Sequence, residues 1–75
     1  MDEIIASFEK NAKEEVRVTL NEFKGRTMFH IRAYYQENDE WKPGKGIGLT
    51  TDKYTELAEA ILRLGERLTR DGLIR

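Results

Sequence analysis

The chain has 75 residues and no cysteine, so it is long enough for one small domain but too short to bury a large core. Disulfides and thiolate metal sites are therefore excluded, and a single histidine, His30, argues against a zinc site. The net charge of −1, from 13 basic and 14 acidic residues, by itself disfavours a nucleic-acid protein. The charge is unevenly spread, however, because residues 16–36 carry Arg17, Lys24, Arg26 and Arg32 against Glu22 alone.

Membrane and secretory classes are not supported. No run of apolar residues is long enough to span a bilayer. The first residues, Met1-Asp2-Glu3, are acidic where a secretory signal would be basic. We therefore expect a cytoplasmic protein, associated with the nucleoid if it is bacterial, with no membrane partner. A core this small also favours completion of the fold by a second copy of the chain.

Four β segments precede one helix in the sequence pattern. Residues 4–8 predict a weak first strand, and residues 16–20 alternate apolar and polar side chains as a half-buried strand does. Residues 27–35 are rich in β-forming side chains, and residues 46–50 predict a short last strand. Residues 36–45 predict a polar loop with a type II turn at Pro43-Gly44.

A helix is predicted from about residue 51 to 70. Its apolar side chains recur at a period of 3.6 and form one wide stripe of Tyr54, Leu57, Ala58, Ile61, Leu64 and Leu68. Asp52 suits the first turn and Gly72 suits the position just after the end. We expect this helix to supply a major part of the core, and its stripe to serve either the core or a dimer interface. The predicted fold is thus α+β, one domain over 1–75, with a first strand and acidic arm at 1–15, a sheet at 16–50 and a helix at 51–70.

The register of the central hairpin can be predicted from its turn. If Lys24-Gly25 is a two-residue turn, Phe23 lies opposite Arg26. One face of the hairpin then pairs only apolar residues, namely Leu20 with Phe29, Val18 with Ile31 and Val16 with Ala33. A shift of one residue would destroy this separation, so the apolar side is the predicted core face.

The opposite side of the hairpin carries Arg17 directly opposite Arg32, together with Phe23, Met28 and Tyr34. Like charges in direct opposition are destabilising, and Arg17 has no acid opposite it, so an anion lying across the sheet would explain the pair. Rings interleaved with guanidinium groups are typical of surfaces that bind single-stranded nucleic acid. An ordinary solvated sheet face is the alternative.

Three segments resemble a known family. They are residues 21–26 (NEFKGR), 31–35 (IRAYY) and 41–49 (WKPGKGIGL). Their order and spacing resemble the C-terminal domain of the transcriptional coactivator positive cofactor four and its bacterial and phage relatives. The resemblance covers roughly residues 12–70, and a bacterial or phage member is expected. It implies a curved four-stranded antiparallel sheet with one C-terminal helix, a symmetric homodimer, and binding of single-stranded DNA or melted duplex without strong sequence preference.

The resemblance also implies site residues. The family's ring at the hairpin turn falls on Phe23, its strand arginine on Arg32, and its second strand aromatic on Tyr35; its loop cations fall on Lys42 and Lys45. Strict alternation places Tyr35 on the face opposite Arg32, so either a bulge or a strong twist brings it across or Tyr34 stacks on bases instead. The complete candidate nucleic-acid-binding set is Arg17, Phe23, Lys24, Arg26, Arg32, Tyr34, Tyr35, Trp41, Lys42 and Lys45.

The resulting hypothesis is a non-catalytic, single-stranded-DNA-binding homodimer that serves transcription regulation, replication or repair and needs no cofactor or metal. RNA is an open alternative ligand. A different class of function, a protein-interaction dimer whose basic face docks an acidic partner, also remains open. A nuclease with Mg²⁺ held by Glu37, Asp39 and Glu40 is less favoured, because a solvated loop explains these acids as well.

Overall fold

The computed structural model describes residues 2–75. Four antiparallel strands form one sheet in the order of the chain, and a single helix follows. The elements are β1 (Glu3–Asn11), β2 (Glu14–Phe23), β3 (Arg26–Glu37), β4 (Glu40–Thr50), a 3-10 turn (Thr51–Lys53) and α1 (Tyr54–Arg70). This confirms the α+β prediction of a four-stranded antiparallel sheet followed by one helix.

The register of the central hairpin is confirmed. Phe23 pairs with Arg26, Val18 with Ile31, and the pairing continues without interruption to the other end of β2. Lys24 has φ 51° and Gly25 has φ 76°, and two successive left-handed residues are what a type I′ turn requires. The side-chain faces predicted for β2 and β3 therefore hold along their whole length.

The predicted polar loop at 36–45 is wrong. Strand β3 continues to Glu37, the chain turns at Asn38 and Asp39, and β4 begins at Glu40. Asn38 and Asp39 both have positive φ, 54° and 64°, which Asn and Asp tolerate better than other side chains. Pro43-Gly44 accordingly lies inside β4 rather than in a type II turn. A proline is accepted there because β4 is an edge strand and lies at a bulge.

The N-terminal segment is more ordered than the predicted weak strand and acidic arm. β1 has nine residues and pairs with β2 along most of its length. At the turn that follows, Asn11 Oδ1 accepts a hydrogen bond from the backbone N–H of Lys13, and Asn11 Nδ2 donates to Glu14 at 2.8 Å. That hydrogen bond and the nearby Lys10 ammonium lower the pKa of the Glu14 carboxyl.

The predicted bounds of the helix are confirmed, and its ends have clear causes. A hydrogen bond with Thr50 lowers the pKa of Asp52 in the 3-10 turn that leads into α1. At the other end Gly72 has φ 72°, and the backbone N–H groups of Gly72 and Leu73 donate to the carbonyls of Thr69 and Leu68. These two bonds form a Schellman motif, which satisfies carbonyls at the end of α1.

The prediction that α1 forms a major part of the core is wrong for the single chain. No residue of α1 is buried, and its main contact with the sheet is an edge-to-face pair of Tyr54 and Phe29 with ring centroids 6.1 Å apart. Within residues 2–75 the apolar side of the sheet is only half-buried, and no hydrophobic residue is fully buried. The chain thus presents two uncovered apolar surfaces, one on the sheet and one on α1. No helix among the described residues is long and apolar enough to cross a membrane.

Candidate nucleic-acid interface

The side of the sheet opposite the apolar pairs carries most of the candidate residues. We call it the basic-aromatic face. Because side chains alternate along a strand, it is formed by every second residue of β2 and β3 and by their partners in β1 and β4. Its members include Glu15, Arg17, Thr19, Asn21 and Phe23 of β2, Arg26, Met28, His30, Arg32, Tyr34 and Gln36 of β3, Trp41 and Pro43 of β4, and Ser7 and Glu9, which pair with Arg17 and Glu15 from β1.

Arg17 is held by three side chains of this face. Its Nε and Nη2 atoms donate hydrogen bonds of 2.9 and 2.7 Å to the same oxygen of Glu15. Its guanidinium carbon lies 4.2 Å from the ring centroid of Tyr34 and 5.5 Å from that of Trp41. The prediction that no acid lies directly opposite Arg17 is confirmed, because its cross-strand partners are Arg32 and Ser7. Glu15 lies two residues earlier on the same face, and it supplies the anion.

Arg32 lies in register opposite Arg17 on β3 and makes a different contact. Its Nη1 donates a hydrogen bond of 2.8 Å to the backbone carbonyl of Gly44. This carbonyl belongs to a bulge of β4, where Arg32 and Tyr34 pair with Gly46 and Pro43, so that β4 carries one extra residue. Arg32 thus keeps its positive charge without a carboxylate partner among the described residues, at the centre of the face.

Gly46 explains why the bulge lies so close to Arg32. A Cβ atom on Gly46 would be 2.4 Å from the carbonyl oxygen of Ile31 and 2.5 Å from the Cα of Arg32. Real Cβ atoms do not approach backbone atoms this closely, so no larger residue fits without moving β4. The glycine permits the contact between the two strands and thereby positions Arg32 against Gly44.

A polar group occupies the middle of the face. His30 Nε2 lies 2.9 Å from Asn21 Oδ1, and Thr19, which is only 6% exposed, lies opposite His30. The imidazole packs over Gly48, where an added Cβ would be 2.6 Å from His30 Nδ1. His30, Asn21 and Thr19 line a shallow pocket of about 380 Å³ together with Arg32, and the pocket lining also includes the acidic residue Asp2. Sequence analysis did not identify Asn21 or Thr19 as members of the site, although their position on the face follows from the register.

The hairpin turn between β2 and β3 presents an exposed ring with cations beside it. Phe23 is 56% exposed, and the Nζ atom of Lys24 lies 5.4 Å from its ring centroid. Arg26 pairs with Phe23 across the turn and is also exposed. This end of the face therefore combines a free aromatic surface with two positive charges, as expected from the sequence.

Three candidate residues lie elsewhere on the β3–β4 hairpin. Tyr35 pairs with Lys42, and both lie on the side of the sheet opposite Arg32. Lys42 also lies 3.3 Å from a carboxylate oxygen of Glu40. Lys45 falls in the bulge and is exposed. The bulge is in β4 and leaves the alternation of β3 unchanged, so Tyr34, and not Tyr35, lies on the basic-aromatic face.

The two remaining ring positions on the face differ in accessibility. Tyr34 is half-buried under the Arg17 guanidinium, whereas Trp41 is 40% exposed. Phe23 and Trp41 are therefore the rings of this face with the most free surface. Within residues 2–75 no three His, Asp or Glu side chains come together as ligands for a metal ion, the acids at 37, 39 and 40 included.

Comparison with known families agrees with this geometry. The family model of the transcriptional coactivator p15 (PC4) matches residues 10–60. The yeast (Saccharomyces cerevisiae) RNA polymerase II transcriptional coactivator SUB1 is 44% identical over 59 residues, which are 75% of this chain and 20% of the yeast protein. The chain thus spans about a fifth of the length of that relative.

Two solved structures are similar to the whole fold. One is the MoSub1 protein in a crystal structure with single-stranded DNA, which is 40% identical with a TM-score of 0.66, covering 88% of this chain and 78% of that one. The other is BPSL1147, a PC4 homolog from Burkholderia pseudomallei K96243. It is 19% identical with a TM-score of 0.81, covering 87% of this chain and 98% of that one, and it supports the fold alone.

Proposed function

Because this chain belongs to the transcriptional coactivator p15 (PC4) family, we propose that it binds single-stranded DNA through the basic-aromatic face and the adjoining β3–β4 hairpin. Binding is largely independent of sequence and non-catalytic, and it serves transcription regulation, replication or repair. The observation that carries the proposal is the 40% identical MoSub1–single-stranded-DNA structure, together with Arg32, which has no ion-pair partner within residues 2–75 and shares its face with the exposed rings Phe23 and Trp41.

The geometry favours single strands over duplex. A flat ring on a sheet can stack only on a base whose own neighbours have been moved apart, and such stacking is tolerant of sequence. Phosphates would then follow the cations at the centre and edges of the face. With a net charge of −1, the chain has no general attraction for DNA, so binding depends on this local cluster.

The proposed site comprises all ten candidate residues, with different roles. Arg32 and Lys45 contact phosphates, and Phe23 and Trp41 stack on bases. Lys24 and Arg26 add charge at the hairpin turn, where they flank Phe23. The other members are Arg17, Tyr34, Tyr35 and Lys42. Tyr35 and Lys42 contact the ligand where the DNA strand passes over the β3–β4 hairpin.

We also propose that the working unit is a homodimer. Ile61, Leu62 and Leu64 on α1 are 52–66% exposed, and Ile47 on the apolar side of the sheet is 48% exposed. Burying one large apolar side chain contributes about 1.5–3 kcal/mol, so leaving several in water would be a large loss for a domain of this size. A second copy offers a matching apolar surface. Sedimentation at low micromolar concentration should give twice the chain mass, and a folded monomer there would exclude the homodimer.

A binding titration tests the proposed ligand. We expect single-stranded DNA to bind more tightly than the same sequence as duplex. Affinity should fall as the salt concentration rises, and the slope of log affinity against log salt should be about −0.7 for each phosphate neutralised. An RNA single strand and a melted duplex in the same titration define the ligand range. Equal affinity for single strands and intact duplex at every salt concentration would contradict base stacking, and cleavage of the DNA with Mg²⁺ would contradict a non-catalytic role.

Fluorescence separates this proposal from docking of an acidic protein. Trp41 is the single tryptophan of the chain, so its emission reports on one place in the face. We expect an oligonucleotide to quench it through stacking, whereas polyglutamate, which carries negative charge without bases, should not. Binding of polyglutamate with DNA-like affinity would favour the protein-docking function instead.

A further inference from the structure

The ion pair between Glu15 and Arg17 occupies an unusual position for a surface that binds an anion. Glu15 is the only carboxylate that contacts an arginine of the basic-aromatic face among residues 2–75. The two side chains are only 22% and 17% exposed. The pair is therefore held in place rather than formed by two flexible groups in water.

The hydrogen bonds of this pair use the donors that a phosphate would need. Guanidinium groups bind carboxylates and phosphates with the same fork of N–H donors. In Arg17 two of these donors, Nε–H and Nη2–H, already point at Glu15 Oε1. The charges cancel, so Arg17 adds no net attraction for a nucleic-acid backbone while the pair is closed.

The rings on the same face hold Arg17 independently of Glu15. Its guanidinium lies 4.2 Å from the Tyr34 centroid and 5.5 Å from the Trp41 centroid, both within the range of cation–π attraction. Removal of the carboxylate would therefore leave the guanidinium positioned on the face with free donors. Arg32 lies directly opposite, so two adjacent arginines would then face the ligand.

We propose that Glu15 is an internal competitor that occupies Arg17 in place of a nucleic-acid phosphate and so limits the affinity of the face. While Arg17 is paired with Glu15, it positions the rings of Tyr34 and Trp41 and does not bind phosphate. Glu15 sets how many phosphates the face neutralises. This inference rests on the proposed binding of single-stranded DNA.

The test compares Glu15→Gln with a matched control in single-stranded DNA titrations over a salt series. Glu9 lies opposite Glu15 on β1 and is exposed, so Glu9→Gln removes the same charge from the same face without touching Arg17. We expect Glu15→Gln to bind about two- to fivefold more tightly at low salt, and its slope of log affinity against log salt to steepen by about 0.7. Glu9→Gln should leave the slope unchanged.

Two further measurements assign the gain to Arg17. The double variant Glu15→Gln/Arg17→Gln should return the slope to the wild-type value, because the released guanidinium is gone. The emission wavelength of Trp41 should be the same in Glu15→Gln as in wild type, which shows that the cluster is still assembled. An equal gain in Glu9→Gln, a gain that survives in the double variant, or a shifted emission would each overturn the inference.

The proposed function can fail separately from this inference. A wild-type chain that binds no single-stranded DNA would overturn both. Wild-type binding with an unchanged affinity and slope in Glu15→Gln would overturn the role of Glu15 and leave the proposed function standing.

Discussion

Arg32 in β3 donates a hydrogen bond to the backbone carbonyl of Gly44 in β4 and in this way connects the centre of the basic-aromatic face to the bulge of the edge strand. One donor of the guanidinium thus fixes the side chain, while its charge remains available. A residue with this combination is well placed to bind phosphate, since little conformational entropy is lost when the ligand arrives.

Arg32→Glu should be the most damaging single change for binding. It reverses the charge of Arg32, which lies at the centre of the face and has no ion-pair partner among the described residues, so we expect single-stranded DNA affinity to fall by at least about tenfold. Folding should be retained, because the lost hydrogen bond to Gly44 contributes about 1.5–3 kcal/mol and the change also removes the unfavourable opposition of Arg17 and Arg32. Circular dichroism and a DNA titration check this. If the variant instead unfolds while its folded fraction still binds DNA as tightly as the wild type, Arg32 has a structural role.

Phe23→Ala should weaken binding without changing its salt dependence. The ring is 56% exposed, so its removal leaves the free energy of unfolding almost unchanged. One base–aromatic stack contributes about 1–3 kcal/mol, and this is the expected loss of binding free energy. Phe23→Trp keeps a ring at the same position and should retain most of the affinity. If Phe23→Ala binds as tightly as the wild type, Phe23 is not part of the site.

Lys45→Ala should show the reverse pattern. The side chain lies in the β4 bulge and is proposed to contact phosphate, so affinity should fall modestly and the salt slope should flatten by about 0.7. Lys53→Ala serves as the matched control, because Lys53 lies in the 3-10 turn outside the sheet, with its Nζ atom 4.0 Å from a carboxylate oxygen of Glu56. If both variants flatten the slope equally, the effect comes from net charge alone.

Gly46→Ala should destabilise the sheet. The new methyl group would collide with backbone atoms of Ile31 and Arg32, which cannot move as a side chain can, so we expect a loss near the upper end of about 1–3 kcal/mol. Gly44→Ala is the matched control in the same strand. Its Cβ would meet the Ala33 carbonyl oxygen at 3.1 Å, and a smaller loss is expected. Thermal unfolding of both variants measures the difference.

The central hairpin could be predicted from the sequence because its signals are local. Lys24-Gly25 specifies a tight turn, and the strict alternation of apolar side chains in β2 and β3 then allows only one register. The bounds of α1 were predictable for a similar reason, since its apolar period and Gly72 are both read within a few residues.

The β3–β4 hairpin was not predictable in the same way. Pro43-Gly44 is a strong local turn signal, and it outweighed Asn38-Asp39, where the chain in fact turns. The bulge that accommodates the proline depends on pairing with β3, where Pro43 lies opposite Tyr34. The fit of Gly46 against Arg32 is likewise a contact between strands, and no pattern within β4 reveals it.

The candidate site was predicted in composition but not in its internal contacts. Arg17, Arg32, Tyr34 and Trp41 lie on one face, as the hairpin register and the β3–β4 pairing require. The Glu15–Arg17 pair could have been found, because residues two apart in a strand share a face. The hairpin register indicates only the residue directly across the sheet from Arg17, whereas its acidic partner lies on the same strand.

The order of the strands also determines how the chain can fold. Each strand pairs with the next one in sequence across a turn of two residues, so the sheet forms entirely from local contacts. Hairpins of this kind close in about 1–10 μs. In the proposed homodimer the apolar surfaces are covered only when two chains meet. The rate-limiting event in refolding is then a bimolecular encounter, and the observed rate constant rises with protein concentration.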